Sequence, residues 1–73
     1  MARLYRSTSD CQHWLTWIEG SGWLRFPARA NGWDERCPAT AVNRRQLQRV
    51  PLRLAFHTGL LEFLDRHALD RAA

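Results

Sequence analysis

Hydrophobic positions recur along this chain in three separate patterns. In the first, apolar side chains follow one another at steps of three and four residues, the spacing that places them on one face of an α-helix: Cys11, Trp14, Leu15 and Ile18. Ser7 and Asp10 approximate a capping box ahead of this stretch, and Gly-Ser-Gly at 20–22 favours a stop after it. The pattern predicts an N-terminal helix over about residues 8–19.

The second pattern surrounds Asn31-Gly32, a dipeptide preferred in two-residue β-turns because both positions take a positive φ. It predicts a β-hairpin over about residues 23–37, in which Arg29 faces Asp34 as an opposite-charge pair. Pro27 conflicts with this hairpin, since proline has no N–H to donate to a neighbouring strand. Side chains alternate across a strand, so one face is expected to be apolar and the other to carry Trp23, Arg25, Arg29 and Arg36.

The third pattern follows a basic segment near the C-terminal third of the chain. Asn43 is a candidate N-cap, and a short basic helix is expected over about residues 43–49. Pro51 then fits the first position of another helix, and apolar side chains recur behind it at helical spacing. A long amphipathic helix is therefore expected over about residues 51–70, with a break at Gly59 as the alternative.

Together these elements predict a small single α+β domain over residues 1–73. Its expected order is an N-terminal helix, a β-hairpin, a short basic helix and a long C-terminal amphipathic helix. So short a chain buries only about 60–65% of its unfolded surface, so stability depends on large apolar side chains. The expected core contains Trp14, Leu15, Ile18, Leu24, Phe26, Trp33, Phe56, Leu60, Phe63 and Leu64.

The basic charge is unevenly distributed. All eleven basic side chains are arginine, and the formal net charge is +4. No acid lies between Glu35 and Glu62, whereas five arginines do: Arg36, Arg44, Arg45, Arg49 and Arg53. Such a segment produces a positive field that attracts anionic partners, although simple solvation of a basic surface is the alternative interpretation.

The candidate chemical groups do not form a recognisable catalytic or metal-binding motif. The cysteines and histidines lack the spacing of structural zinc sites, and the predicted helix directs Cys11 and His13 to nearly opposite sides. No glycine-rich phosphate loop is present, so no enzyme, metal or cofactor is expected. Without a secretory signal or an apolar membrane span, we expect a cytoplasmic protein. Its thiols are expected to be buried and reduced, with a Cys11–Cys37 disulfide as the alternative.

Arginine interleaved with tryptophan favours binding over catalysis. The first hypothesis is an accessory protein that binds nucleic acid, or a complex of protein and nucleic acid, through phosphate contacts and base stacking. The second is a protein-docking inhibitor or adaptor, of the type found in phages and mobile elements, that acts on an acidic partner. Both hypotheses use the same candidate residues: Trp17, Trp23, Arg25, Arg29, Arg36, Arg44, Arg45, Arg49 and Arg53.

Overall fold

A computed structural model of the chain describes residues 3–29, 32–54 and 58–67. These residues form five β-strands, three short 3₁₀ helices and one α-helix. The strands are β1 (Leu4–Ser7), β2 (Asp10–Ile18), β3 (Gly22–Pro27), β4 (Cys37–Pro38) and β5 (Leu47–Val50). The 3₁₀ helices span Gly32–Glu35, Arg44–Gln46 and Leu52–Leu54, and the α-helix, α1, spans Thr58–His67.

The five strands form one antiparallel sheet in the order β4-β3-β2-β1-β5. Strands β1 to β4 form a meander, and the chain then returns so that β5 pairs with β1. In that pairing Leu4 lies opposite Val50, and Ser7 lies opposite Leu47. The first strand is therefore an interior strand of the sheet, while β4 and β5 lie at its edges.

The predicted N-terminal helix over residues 8–19 is wrong. Most of this stretch forms the nine-residue strand β2, which lies at the centre of the sheet. Ile18 is buried on one face of the strand and Leu15 on the other. A strand covered on both faces lacks the polar and apolar alternation of a half-exposed strand, and its aromatic and β-branched residues favour extended backbone. The helical spacing was therefore coincidental.

The predicted pairing of the hairpin over residues 23–37 is also wrong. The long hairpin joins β2 to β3, with Trp14 opposite Phe26 and Trp17 opposite Trp23. Its turn contains Gly20, whose φ of 86° lies in the left-handed region that glycine adopts at least cost. Strand β3 pairs onward only with the two residues of β4.

Pro27 and Gly32 explain why a second long strand does not follow β3. Pro27 is the last residue of β3, consistent with its lack of a donor N–H. Gly32 begins a 3₁₀ helix, and a Cβ atom there would lie 2.8 Å from the Pro27 carbonyl oxygen. Only glycine fits so close a backbone approach. Asn31, on which the turn prediction rested, lies outside the described residues.

The predicted short helix over residues 43–49 is wrong, although its N-cap is confirmed. The Asn43 side-chain oxygen accepts a hydrogen bond of 3.0 Å from the Arg45 backbone N–H. The turn that it caps is the single 3₁₀ turn Arg44–Gln46, after which the chain extends as β5. Hydrogen bonding to β1 replaces further helical turns at this point.

The predicted long helix over residues 51–70 is wrong as well. Pro51 precedes a 3₁₀ helix, and its carbonyl oxygen accepts a hydrogen bond of 2.9 Å from the Leu54 N–H. Helix α1 has ten residues and begins at Thr58, one residue before Gly59, the alternative break point. Residues 55–57 and 68–73 lie outside the description. No helix among the described residues is long and apolar enough to cross a membrane.

Helix α1 covers one face of the sheet and closes the core. Leu60 and Leu64 of the helix pack with one buried side chain from each of four strands: Leu4, Ile18, Phe26 and Val50. Full burial of such a side chain stabilises the fold by about 1.5–3 kcal/mol. These contacts attach the helix to strands that are far apart in the sequence.

The predicted core is partly confirmed. Four predicted members are buried in it: Ile18, Phe26, Leu60 and Leu64. Four others are partly buried and pack against it: Trp14, Leu24, Trp33 and Phe63. Leu15 is buried on the opposite face of the sheet, and Phe56 lies outside the described residues. The hydrophobic pattern missed Leu4 and Val50, because it did not identify the strands that contain them.

Candidate functional site

The sheet face opposite α1 carries most of the aromatic side chains of β1, β2 and β3. In β2, Ile18 packs towards α1, so Leu15 and Trp17 point to the other face. Strand register places Trp17 opposite Trp23, Leu15 opposite both Tyr5 and Arg25, and Arg49 opposite Tyr5. We call this surface the aromatic face and define it by Tyr5, Leu15, Trp17, Trp23, Arg25 and Arg49.

Three rings on the aromatic face form a continuous series of edge contacts. The Trp23 ring centroid lies 5.6 Å from that of Tyr5 and 5.9 Å from that of Trp17, with interplanar angles of 74° and 72°. Tyr5 is buried, whereas Trp17 and Trp23 are half-buried. Each such pair contributes about 0.5–1.5 kcal/mol beyond simple area burial. The rings therefore stabilise the sheet and still leave part of two indoles accessible.

Two arginines extend over this face. The Arg49 guanidinium carbon lies 5.9 Å from the Tyr5 ring centroid, within cation–π range. Arg25 Nη2 lies 3.7 Å from Cys37 Sγ, to which it donates a weak hydrogen bond. The structure thus brings together four of the sequence-predicted binding residues on one face: Trp17, Trp23, Arg25 and Arg49.

Four exposed arginines lie along the β5 edge of the sheet. They are in the 3₁₀ turn before β5, in β5 itself and in the 3₁₀ turn after it, and we call them the arginine strip: Arg44, Arg45, Arg49 and Arg53. Within the described part of the chain, none of the four forms an ion pair with a carboxylate. The nearest acids in sequence are Glu35 and Glu62, so this edge keeps a local positive charge.

The two remaining candidates, Arg29 and Arg36, lie elsewhere. Arg29 pairs with Glu35 instead of Asp34, the partner predicted from the hairpin register. The Arg36 guanidinium carbon lies 4.8 Å from the Phe63 ring centroid and 5.7 Å from that of Trp33. Arg36 therefore joins the 3₁₀ helix after β3 to α1, and the structure does not place these two arginines with the other candidates.

A cavity of about 290 Å³ lies on the aromatic face, beside the segment that connects β4 to β5. Its polar lining comes from the β1–β2 turn, from β3 and from the 3₁₀ turn before β5, and includes Asp10, Arg25, Asn43 and Gln46. Its apolar lining includes Leu15, Pro38, Val42 and Leu47. The cavity thus combines apolar walls with one carboxylate, one guanidinium and two amides.

Asp10 is held in its ionised form by local hydrogen bonds. Its Oδ1 accepts from the Gln12 backbone N–H at 3.0 Å, and its Oδ2 lies 2.9 Å from His13 Nδ1. The Gln12 N–H is the largest cause and lowers the pKa of Asp10; desolvation opposes it, and smaller contributions from His13 and Arg25 lower the pKa further. The carboxylate at the cavity therefore carries a full negative charge at neutral pH.

The thiols and imidazoles do not form a metal site in the described residues, where no group of three or more potential ligands occurs. Cys11 and Cys37 are both free. Cys37 is half-buried, but Cys11 is exposed, so the expectation of buried thiols is wrong for Cys11.

Tyr5 and Asp10 are the members of this region that sequence analysis missed. Both lie in segments whose extended structure was not predicted, since β1 has only four residues and Asp10 was interpreted as a helix cap. The run Leu4 to Ser7 does contain Tyr5, an aromatic residue of the type enriched in strands, which is a weak strand signal.

Comparison with known proteins finds no match for this chain among protein-family models, curated proteins or solved structures. The features of the molecule that bear on its function are the aromatic face, the arginine strip and the cavity.

Proposed function

We propose that this protein is a non-catalytic module that binds single-stranded nucleic acid, with the arginine strip on the phosphates. The observation that carries the proposal is the strip itself, in which four exposed arginines occupy one edge of the sheet without a carboxylate partner in the described residues. An acidic nucleic-acid backbone supplies the missing counter-charge.

Arginine suits phosphate because its planar guanidinium presents parallel N–H donors to two oxygens at once. Like charges held on one edge also repel each other, so an anionic partner lowers the free energy of the bound state. Arg44 and Arg45 are adjacent in one 3₁₀ turn, and Arg49 follows in the strand behind them. The strip therefore supports binding to a polyanion more than binding to a single charge.

A single strand fits the architecture better than a duplex. The exposed side chains of helix α1 include Glu62 and Asp65 beside Arg66, so this surface does not offer a net positive charge to the phosphates that flank a major groove. The aromatic face, in contrast, leaves parts of the Trp17 and Trp23 rings accessible next to arginines. Sheets that combine aromatic side chains with a basic groove bind single strands by stacking and by charge.

The test is a titration of a fluorescently labelled thymidine homopolymer, followed by anisotropy at roughly 0.05 and 0.3 M salt. The wild-type affinity should fall steeply between the two, because phosphate contacts release counterions. Arg45→Gln should weaken binding and reduce the slope of log affinity against log salt by about 0.7.

Arg29→Gln is the matched control, since it removes the same charge from a side chain that is already paired with Glu35. It should leave the salt slope nearly unchanged. Affinity that does not depend on salt, or equal effects of Arg45→Gln and Arg29→Gln, would contradict the phosphate-binding role of the strip.

A second candidate function is docking to an acidic protein as an inhibitor or adaptor. The observation that favours it is the position of β5 at the sheet edge, where an extended segment of a partner can add a strand. Docking predicts that Trp23→Phe, which keeps a ring in place, weakens partner binding more than Arg44→Ala does. Either partner is compatible with the cytoplasmic location expected from the sequence.

A further inference from the structure

We infer that the cavity beside Asp10 and Arg25 accepts one unpaired guanine base of the bound strand. This inference rests on the proposed function, because the arginine strip is what brings the strand to the cavity. It adds base selectivity to a surface whose other contacts, with phosphates and by ring stacking, do not depend on the identity of the base.

The two charged groups of the lining select guanine by their hydrogen-bonding capacity. Guanine carries adjacent acceptors, O6 and N7, which match two N–H donors of a guanidinium. It also carries adjacent donors, N1–H and the N2 amino group, which match the two oxygens of a carboxylate. Asp10 and Arg25 both line the cavity, so a base that enters it meets a group of each type. No other common base offers two such bidentate partners of opposite type.

Both groups retain the hydrogen-bonding capacity that this requires. Asp10 uses one lone pair on each oxygen for Gln12 and His13, and a carboxylate has about four such positions. Arg25 uses one of its five N–H groups for Cys37 Sγ. The two contacts of Asp10 fix the orientation of its carboxylate before a ligand arrives, which lowers the entropic cost of binding.

The walls and location of the cavity fit a base that is attached to a backbone. Leu15, Val42 and Leu47 supply apolar surface for the faces of the ring. A volume of about 290 Å³ lies near the lower end of the roughly 300–1,000 Å³ found for small-molecule sites. Asn43 and Gln46 line the cavity, and Arg44 and Arg45 lie between them in the chain. A phosphate on the strip therefore leaves its base next to the cavity.

The test compares two oligonucleotides, a thymidine homopolymer and the same oligomer with one central deoxyguanosine. The wild-type protein should bind the guanine-containing oligomer about tenfold more tightly. Asp10→Asn keeps an oxygen for the Gln12 N–H but replaces the other acceptor with an amide NH2 donor, so the preference for the guanine-containing oligomer should disappear. Asp34→Asn removes the same charge from an exposed residue that does not line the cavity, and it should keep the preference.

A second variant fills the cavity without changing either charge. Ala41 is exposed and lines the cavity. Ala41→Phe should therefore abolish the guanine preference and leave the salt dependence of thymidine-homopolymer binding unchanged. Thr8→Phe adds the same ring to an exposed residue outside the lining and should change neither property.

The outcomes separate this inference from the proposed function. Equal, salt-sensitive affinity for both oligomers would overturn the guanine site and retain the arginine strip. If neither oligomer binds, the proposed function fails, and a nuclear magnetic resonance titration with guanosine and adenosine 5′-monophosphates decides the inference. Shifts at Asp10, Arg25 and Asn43 that are specific to the guanosine nucleotide would support the site, and their absence would overturn it.

Discussion

Leu4 lies near the start of the chain, yet its side chain is among the most deeply buried in the core. Its side chain is fully buried between β5 and the core side of the sheet, where it packs with Val50 and Leu64. Leu4→Ala should lower the free energy of unfolding by about 2–5 kcal/mol, measured by urea denaturation. Leu54 is the matched control because it is 40% exposed, and Leu54→Ala should change the value by less than about 0.5 kcal/mol. Equal effects at the two positions would contradict the burial of β1.

The Asp10 carboxylate should titrate below the ordinary range for aspartate. Its lowered pKa comes mainly from the Gln12 backbone N–H, which a side-chain substitution does not remove. His13→Ala should therefore raise the pKa only in part, as measured from the carboxyl carbon chemical shift against pH. Because the folded-state pKa is lowered, the associated stability is present above the unfolded value of about 4 and is lost as pH falls through the folded one. A titration at the ordinary value would show that the β1–β2 turn lacks this bond.

Single residues were the level at which the sequence was most informative. Burial of Ile18, Phe26, Leu60 and Leu64 was predicted correctly because large apolar side chains leave water in any compact fold. The identity of the capping residue Asn43 was also predictable, since a short side-chain acceptor serves a 3₁₀ turn as well as an α-helix. Ion-pair partners were not predictable, because they depend on the path of the backbone; the pairing of Arg29 with Glu35 is an example.

Elements were harder to predict than residues, and β2 shows why. Its residues from Trp14 to Ile18 are all at least half-buried, so the period of two that marks a strand is absent. Three- and four-residue spacings can be found in any such apolar run. Strand β5 was missed for the opposite reason: it lies at an edge, its Gln48 and Arg49 are exposed, and only its distant partner β1 makes it a strand.

The turn between β2 and β3 provides a test at the scale of elements. Gly20 has a φ of 86°, and a Cβ there would meet nothing within 4 Å, so Gly20→Ala introduces backbone strain and no clash. The substitution should lower the free energy of unfolding by about 1 kcal/mol, and Gly20→Asn should cost less because asparagine tolerates positive φ. Ser21→Ala, in the same turn, is the control and should remain within about 0.5 kcal/mol of wild type. Equal effects of Gly20→Ala and Ser21→Ala would contradict the positive φ at Gly20.

At the scale of the whole molecule, the uneven charge was visible in the sequence, but its arrangement was not. The stretch without acids between Glu35 and Glu62 contains the arginine strip and predicted a positive surface. Its position along the β5 edge, and the position of Tyr5 between Arg49 and Trp23, follow from strand order and register. Strand order depends on pairings between distant segments, which no local pattern specifies.

The same charge should limit the stability of the free protein. With a formal net charge of +4 and an arginine strip that has no carboxylate partner among the described residues, the folded state should be destabilised by self-repulsion at low ionic strength. Raising the salt to about 1 M shortens the Debye length to about 3 Å and should raise the melting temperature. At low salt, Arg45→Gln should raise the free energy of unfolding by a few tenths of a kcal/mol, and with it the melting temperature. Asp34→Asn adds to the charge imbalance and should lower both.

The effects of Arg45→Gln and Asp34→Asn on the melting temperature should both shrink at high salt. Thermal melts followed by circular dichroism at the two salt concentrations measure these effects. A melting temperature that does not depend on salt, or an Arg45→Gln protein less stable than wild type at low salt, would mean that a carboxylate already neutralises this edge. The expected result is instead that the strip destabilises the free protein and strengthens binding of the thymidine homopolymer. In that case the same four side chains lower the stability of the free protein and raise its affinity for a single strand. That opposition is expected of a binding surface, and it distinguishes the arginine strip from arginines that only solvate a small basic protein.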